Sequence, residues 1–182
     1  ANWTKNTTSP ASSILINTNA IRGNVASARG LYNWNADTFD DAQYTQIKHV
    51  AQADSNFIGA AVRVAASDHT NYEHICTDTA NYLFKRVTGT ETQLGGTSAG
   101  DALNDVIRVE ADGSSITPKL NGSTTGTPGT QTDTAIASGR GGVVTYGDSA
   151  SNRGDDWEGG NLAAAANPAY QPWYHRAPVL AQ

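Results

Sequence analysis

The sequence predicts an all-β fold of the sandwich or barrel kind, and three observations carry that reading. Composition is the first: 38% hydrophobic and 16% charged residues, with Gly, Thr, Ser, Asn and Ala crowding the remainder, is the balance of strands joined by turns rather than of amphipathic helices. Second, apolar and polar residues alternate over short segments with the two-residue period of a strand. Third, turn-forming residues separate these segments all along the chain, which makes about a dozen strands. A chain of 182 residues fits one domain whose core is large enough to fold without staples. Cys76 is the only cysteine, which excludes an internal disulfide and a zinc site built on paired cysteines.

Taken in order, the first β-rich segment is Tyr44 to Val50, followed by Ile58 to Val64, where Ile58, Ala60, Val62 and Val64 fall on one side. Tyr72 to Thr77 and Tyr82 to Val87 are further short strands. The clearest is Asp105 to Ala111, with Ile107, Val109 and Ala111 on one face and Val106, Arg108 and Glu110 on the other. Asp112-Gly113 turns the chain, Ser115 to Leu120 places Ile116 and Leu120 on one side, and Asn121-Gly122 closes a hairpin. Ser123 to Thr134 is rich in Thr, Gly and Pro, without apolar periodicity, and reads as a long solvent-exposed loop. Gly141 to Tyr146, β-branched and aromatic between glycines, reads as a strand, with the cluster Gly139, Gly141 and Gly142 as the turn that leads into it, and Asp155 to Glu158 reads as a last strand before Gly159-Gly160. Beyond a short Ala run, Pro168, Pro172 and Pro178 break up any helix and favour extended backbone.

Several of these runs together resemble the laminin-G-like or concanavalin-like jelly-roll modules of phage virion proteins and bacterial surface proteins. The carriers are Ala61-Val62-Arg63-Val64, Asn81-Tyr82-Leu83-Phe84-Lys85-Arg86-Val87, Asp105-Val106-Ile107-Arg108-Val109-Glu110, Ile116-Thr117-Pro118-Lys119-Leu120-Asn121-Gly122, Ser138-Gly139-Arg140-Gly141-Gly142-Val143 and Asp155-Asp156-Trp157-Glu158-Gly159-Gly160-Asn161-Leu162. The resemblance spans residues 13–162, is weakest before Tyr44, and implies a two-sheet antiparallel jelly-roll sandwich. It also implies that the first strands and the last strand pair with one another. The chain thus divides into a sandwich domain, residues 1–162, and an extended C-terminal arm, residues 163–182, which has no counterpart in such modules.

A net charge of -5 with scattered Lys and Arg offers no basic stripe for a phosphate backbone, so nucleic acid is not an expected partner. No apolar run approaches the roughly 20 residues of a membrane-spanning helix. Glycosidases of the concanavalin-like group carry a Glu-x-Asp-x-x-Glu strand motif that is absent; Asp155, Asp156 and Glu158 are the nearest cluster, with Asp156 and Glu158 on one face of their strand and Asp155 on the other. Polysaccharide lyases of this fold use a Tyr or His base beside a charge-neutralising Arg, for which Arg63, Tyr72 and His74 are the nearest residues; Tyr72, His74 and Cys76 share a strand face. His69 and His74 lack the spacing that aims two imidazoles at one ion, and His49 and His175 are distant in sequence. Asp148 to Asp155 resembles a calcium loop only faintly, since Arg153 stands at the turn-glycine position, although this fold admits a calcium ion held by backbone carbonyls. Arg153-Gly154-Asp155 spells an adhesion tripeptide of little specificity. No catalytic, cofactor or metal residue is assigned, and no enzyme activity is expected.

Two aromatic features point to binding. Tyr170, Pro172, Trp173 and Tyr174 form a stretch that cannot bury its own rings, so the arm docks onto a partner or wraps back over its own sandwich. Trp34, near Tyr32, is either a sugar-stacking platform or a core residue. The leading expectation is a virion structural protein, a capsid decoration (cement) protein of a tailed phage. It would sit on the virion surface, gripping the major capsid protein or another virion protein through its arm, as a homo-oligomer or in many copies on a symmetric shell. The alternative is a carbohydrate-binding module of a phage fibre or bacterial surface protein; the second alternative is a polysaccharide lyase or hydrolase.

Overall fold

The computed structural model describes residues 2–6, 13–52, 56–148 and 150–163. Fifteen strands and no helix occur among them: β1 (Trp3–Lys5), β2 (Ile14–Asn17), β3 (Ala20–Gly23), β4 (Val25–Trp34), β5 (Gln43–Ala51), β6 (Phe57–Val64), β7 (Asn71–Cys76), β8 (Asn81–Val87), β9 (Thr90–Ser98), β10 (Val106–Asp112), β11 (Ser115–Leu120), β12 (Ser123–Thr124), β13 (Gln131–Thr132), β14 (Arg140–Gly147) and β15 (Arg153–Asn161). A seven-stranded sheet runs β1-β4-β14-β6-β7-β8-β9, and an eight-stranded sheet runs β12-β11-β10-β5-β15-β3-β2, with β13 also paired to β11. Every pairing is antiparallel, and the last strand, β15, lies between β5 and β3, so the last strand does pair with one of the first strands, while β1 pairs with β4 in the other sheet.

The two sheets pack face to face. Ala60, Val62, Tyr72 and Leu83 of the seven-stranded sheet meet Val109, Ala111 and Ile116 of the other. Ile58, Cys76 and Val143 meet Ile21, Ile47 and Ile107 in the same way. The hairpin expected at Asp105 to Asn121 is present, with Asp112 opposite Ser115 across a two-residue turn where Gly113 takes φ 55°.

Four local expectations are corrected. Val64 does not share a side with Ile58, Ala60 and Val62: Arg63 takes φ 51°, the pairing of β6 with β14 shifts register there, and Val64 joins Ala61 and Phe57 on the opposite face. Ser123 to Thr134 is largely exposed, as expected, but is not loop throughout, since β12 and β13 both add to β11 and Pro128 is buried against Gly95, where a Cβ would stand 2.6 Å from the Pro128 carbonyl oxygen. The strand expected from Gly141 to Tyr146 is present as part of β14, so Gly141 and Gly142 are strand residues and not a turn, at positions where side chains would strike the Phe39 ring and the Tyr32 carbonyl. The final strand continues through Gly159 and Gly160 to Asn161, because Trp157 folds over Gly159 and leaves no room for a side chain there.

Candidate binding cleft

β6 and β7 are buried along their whole lengths. A strand covered on both faces needs a second apolar layer, and here it lies on the outward face of the seven-stranded sheet. Leu31, Phe57, Ala61, Val64, Ile75 and Val144 are buried there, flanked by Tyr82, Phe84 and Tyr146. The outward face of the other sheet is a polar ladder instead, with Glu110 paired to Arg108 and Lys119, and Arg108 lying 3.6 Å over the Tyr44 ring.

A cleft of about 360 Å³ opens in the aromatic layer, lined by Arg29, Phe57, Tyr82, Phe84, Glu91 and Tyr146, with Ile75, Thr77 and Thr79. Phe57 and Tyr146 are register partners across β6 and β14, and their rings stack at 5.4 Å and 16°. Tyr82 and Phe84 sit two residues apart on β8, hence on one face, and stack with the same spacing and tilt. Two aromatic pairs thus wall the space.

Arg29 reaches across it. β4 and β7 are separated by β14 and β6, which in a flat sheet is about 14 Å, yet the Arg29 guanidinium donates to Glu73 on β7 and, at 2.9 Å, to Glu91 on β9. The sheet therefore curves toward its outward face. An irregularity in β4, where Ser27 takes φ 53° and the register with β14 slips between Tyr146 and Gly147, lies beside Arg29, the setting in which bulges redirect side chains. On the way the guanidinium crosses the Phe57 ring, 4.7 Å from its centroid.

Glu73 is fully buried, and the network around it explains how a charge survives there. Burial alone would push its carboxyl up, but Arg29 and Arg86, with an amide hydrogen bond from Asn71 at 2.9 Å, hold it below the usual carboxylate value. Arg86 also donates to Glu91, so two arginines and two glutamates close a four-membered network. His69, 3% exposed, borders it; its Nε2 has no hydrogen-bond partner among the described residues, and burial pushes it down to about 4, which leaves it neutral near pH 7.

The lyase-like residues do not converge. Tyr72, His74 and Cys76 do share a face, but it is the inward one: Tyr72 donates to Asp133 at 2.6 Å, and His74 Nδ1 donates to the Arg108 carbonyl at 2.8 Å. Arg63 donates to the backbone carbonyls of Asp41, Gly113 and Ile136, tying three loops together. Glu158 accepts from Tyr44 and from Gln46 at 3.1 Å, and Asp156 lies 4.0 Å from Lys48, so both stand on the polar ladder, away from the cleft. Gly154 of the adhesion-like tripeptide is inside β15, where a Cβ would stand 2.7 Å from Ile47 and Ile58, and Asp148 offers its carbonyl to Arg22. Among the described residues no group of three His, Cys, Asp or Glu side chains is placed to hold a metal ion.

Trp34 faces inward at the β1 edge of the sandwich, cross-strand partner of Trp3. Its ring centroid lies 5.2 Å from that of Trp3 and 5.5 Å from that of Trp157, and its indole donates to Asp37 at 2.7 Å. The three rings plug the gap between the sheets. The arm residues Tyr170, Pro172, Trp173 and Tyr174 lie outside the described residues. Gly96-Thr97-Ser98-Ala99-Gly100 spells a Gly-x-Ser-x-Gly run, but Ser98 ends β9, no helix follows it among the described residues, and its hydroxyl meets the Ala99 carbonyl at 3.4 Å, so it is no nucleophile elbow.

None of the cleft residues is nominated by sequence, although one signal exists. Phe57, Tyr82, Phe84 and Tyr146 are aromatics at strand positions whose neighbours already supply the core, as expected only where the second face is also covered.

No protein-family model matches the chain, and no curated protein matches it in sequence. Solved structures do match. The carbohydrate binding module CBM66 from Bacillus subtilis superimposes with a TM-score of 0.64 at 12% identity, covering 88% of this chain and 93% of that one. The VIP36 exoplasmic/lumenal domain in its Ca2+/Man3GlcNAc-bound form gives 0.61 at 10% identity, over 92% and 86%. A family 7 alginate lyase gives 0.54 at 9% identity, over 82% and 83%. At such identities the likeness is one of fold.

Proposed function

We propose that this chain, a concanavalin-like jelly-roll sandwich, is a carbohydrate-binding domain that receives its sugar in the cleft of the seven-stranded sheet. The carrying observation is the pair of stacked aromatic walls around the Arg29–Glu91 ion pair. Pyranose rings present C–H faces that pack on aromatic rings and hydroxyls that need donors and acceptors beside them, and this cleft supplies both within a volume at the lower end of the roughly 300–1,000 Å³ of small-molecule pockets. Carbohydrate-binding structures among those of like fold support the reading, and the capsid-decoration reading draws no support from them.

Binding rather than cleavage is favoured by the charges. Glycoside hydrolysis needs a protonated acid and a second carboxylate flanking one bond, whereas among the described residues Glu91 is the one carboxylate lining this cleft and Glu73 lies fully buried beneath its arginines. The test is affinity electrophoresis and calorimetry on a polysaccharide panel with Phe57→Ala and Tyr82→Ala. Each variant should lose affinity about tenfold or more, the equivalent of ~1.4 kcal/mol, while keeping its β-sheet circular dichroism. Binding that survives both substitutions unchanged would remove the cleft from consideration.

A further inference from the structure

Resting on that reading, we infer that the cleft selects uncharged sugars and discriminates against uronates and sulfated units. An arginine in a sugar site invites the opposite conclusion, because a guanidinium is a ready partner for a carboxylate or sulfate. Here the arginines are already committed. Arg29 donates to both Glu73 and Glu91, and Arg86 does the same while also donating to the Gly89 carbonyl at 3.1 Å. Two positive and two negative charges cancel within the network.

The cancellation is not even at the surface. The side chain of Glu91 is 35% exposed, against 10% for Arg29 and 13% for Arg86. What an incoming sugar meets first is therefore a carboxylate. Both arginines bind Glu91 through Oε2, which leaves Oε1 as an acceptor for sugar hydroxyls. Thr79, whose hydroxyl meets only Thr77 at 3.4 Å, adds a neutral donor and acceptor on the same rim. Among the described residues Arg29 and Glu91 are the charged ones that line the space. A uronate would bring a second carboxylate against Glu91 and find no uncommitted guanidinium, in a chain whose net charge is already -5. A hydroxyl pair on a neutral ring has the matching pattern, donating to Oε1 while its ring face lies on the aromatic wall.

The experiment compares glycans matched in stereochemistry and differing in charge: β-1,4-mannan with β-1,4-polymannuronate, and a soluble glucan with its C6-oxidised form. The native protein should bind at least one neutral member about tenfold more tightly than its acidic partner. Equal or tighter binding of the acidic members would overturn the inference while leaving the carbohydrate reading intact; absence of binding to every member would overturn both. Glu91→Gln supplies an internal check, since it removes the exposed charge and releases guanidinium hydrogens from both arginines. Its discrimination should collapse, and its affinity for the acidic members should rise and become sensitive to salt. A Glu91→Gln protein that folds and still discriminates as the native chain does would also overturn the assignment.

Discussion

The Tyr72 hydroxyl donates to Asp133 at 2.6 Å and, through the same oxygen, accepts the Ile136 backbone N–H at 3.1 Å. Asp133 also takes Lys85 at 2.5 Å, so a side chain near the start of β7 anchors the segment from Asp133 to Ile136. Burial, reinforced by the bond to Asp133, pushes the phenol up to about 12, far from the range of a general base.

Tyr72→Phe should therefore behave as a structural variant. It leaves the ring in the core and orphans a buried N–H, a loss of about 1–3 kcal/mol, while sugar affinity stays at the native level. Urea denaturation alongside calorimetric titration checks both halves. A variant of native stability would mean the oxygen does not anchor that segment.

Arg29 carries a larger share of the stability than a binding residue ordinarily does. Removing it leaves Glu73 buried with Arg86 as its remaining cation, and breaking one side of a buried ion pair costs about 3–5 kcal/mol. Arg29→Ala should fall in that range by chemical denaturation, and Arg29→Lys should recover only part of it, because one ammonium cannot replace a planar fork shared between two carboxylates. A loss below about 1 kcal/mol, the range of surface pairs, would show that the network is ornamental.

The sequence was most legible where one strand face is wet. Val106 to Asp112 alternates cleanly because Arg108 and Glu110 stand on the polar ladder while Ile107, Val109 and Ala111 enter the core. Legibility fails in β6, which is apolar or small at nearly every position because both faces are covered, so period alone cannot say which face is which. It fails again at Val64, since a positive φ at Arg63 is a property of the folded context and reverses the side on which the next residue emerges. The cleft was hidden for a different reason. Its walls come from β6, β8 and β14, and its arginine from β4, so no local spacing joins them; only the antiparallel order of the sheet and its curvature bring Arg29 to Glu91. Tryptophan, the residue that most readily suggests a sugar platform, was used at the sandwich edge instead.

Acid should destabilise the protein in two stages. His69 is lowered from 6.5 to about 4 by burial, with Glu73 and Asp68 opposing and Arg86 and Arg29 assisting that shift, so between those pH values the unfolded chain takes up a proton that the folded one refuses. Its contribution is complete above pH 6.5 and is lost as pH falls toward 4. Glu73 is held below its ordinary 4.5, so its contribution is present above that value and is lost as pH drops further, through the folded value. Melting temperature against pH should decline from near pH 6.5 downward; burial lowers His74 as well, so His69→Gln should remove His69's share of the upper part, leaving that of His74 and the lower part in place. A profile of the variant that parallels the native one throughout would assign the upper stage to another group.

Trp34 separates the two candidate places for sugar stacking. Its ring is wedged against Trp3 and Trp157, Trp157 in turn donates to the Gly142 carbonyl at 3.2 Å, and the cluster joins the edge of one sheet to the other. Because Trp34 is half-buried, Trp34→Ala should cost less than the roughly 3–5 kcal/mol of a fully buried aromatic, about 1–3 kcal/mol, and tryptophan fluorescence should report the loosened cluster. Glycan affinity should be untouched, since neither Trp34 nor its partners line the cleft. Loss of glycan binding in Trp34→Ala with the melting temperature preserved would move the sugar site to the tryptophan edge and leave the aromatic walls around Arg29 a second, purely structural layer.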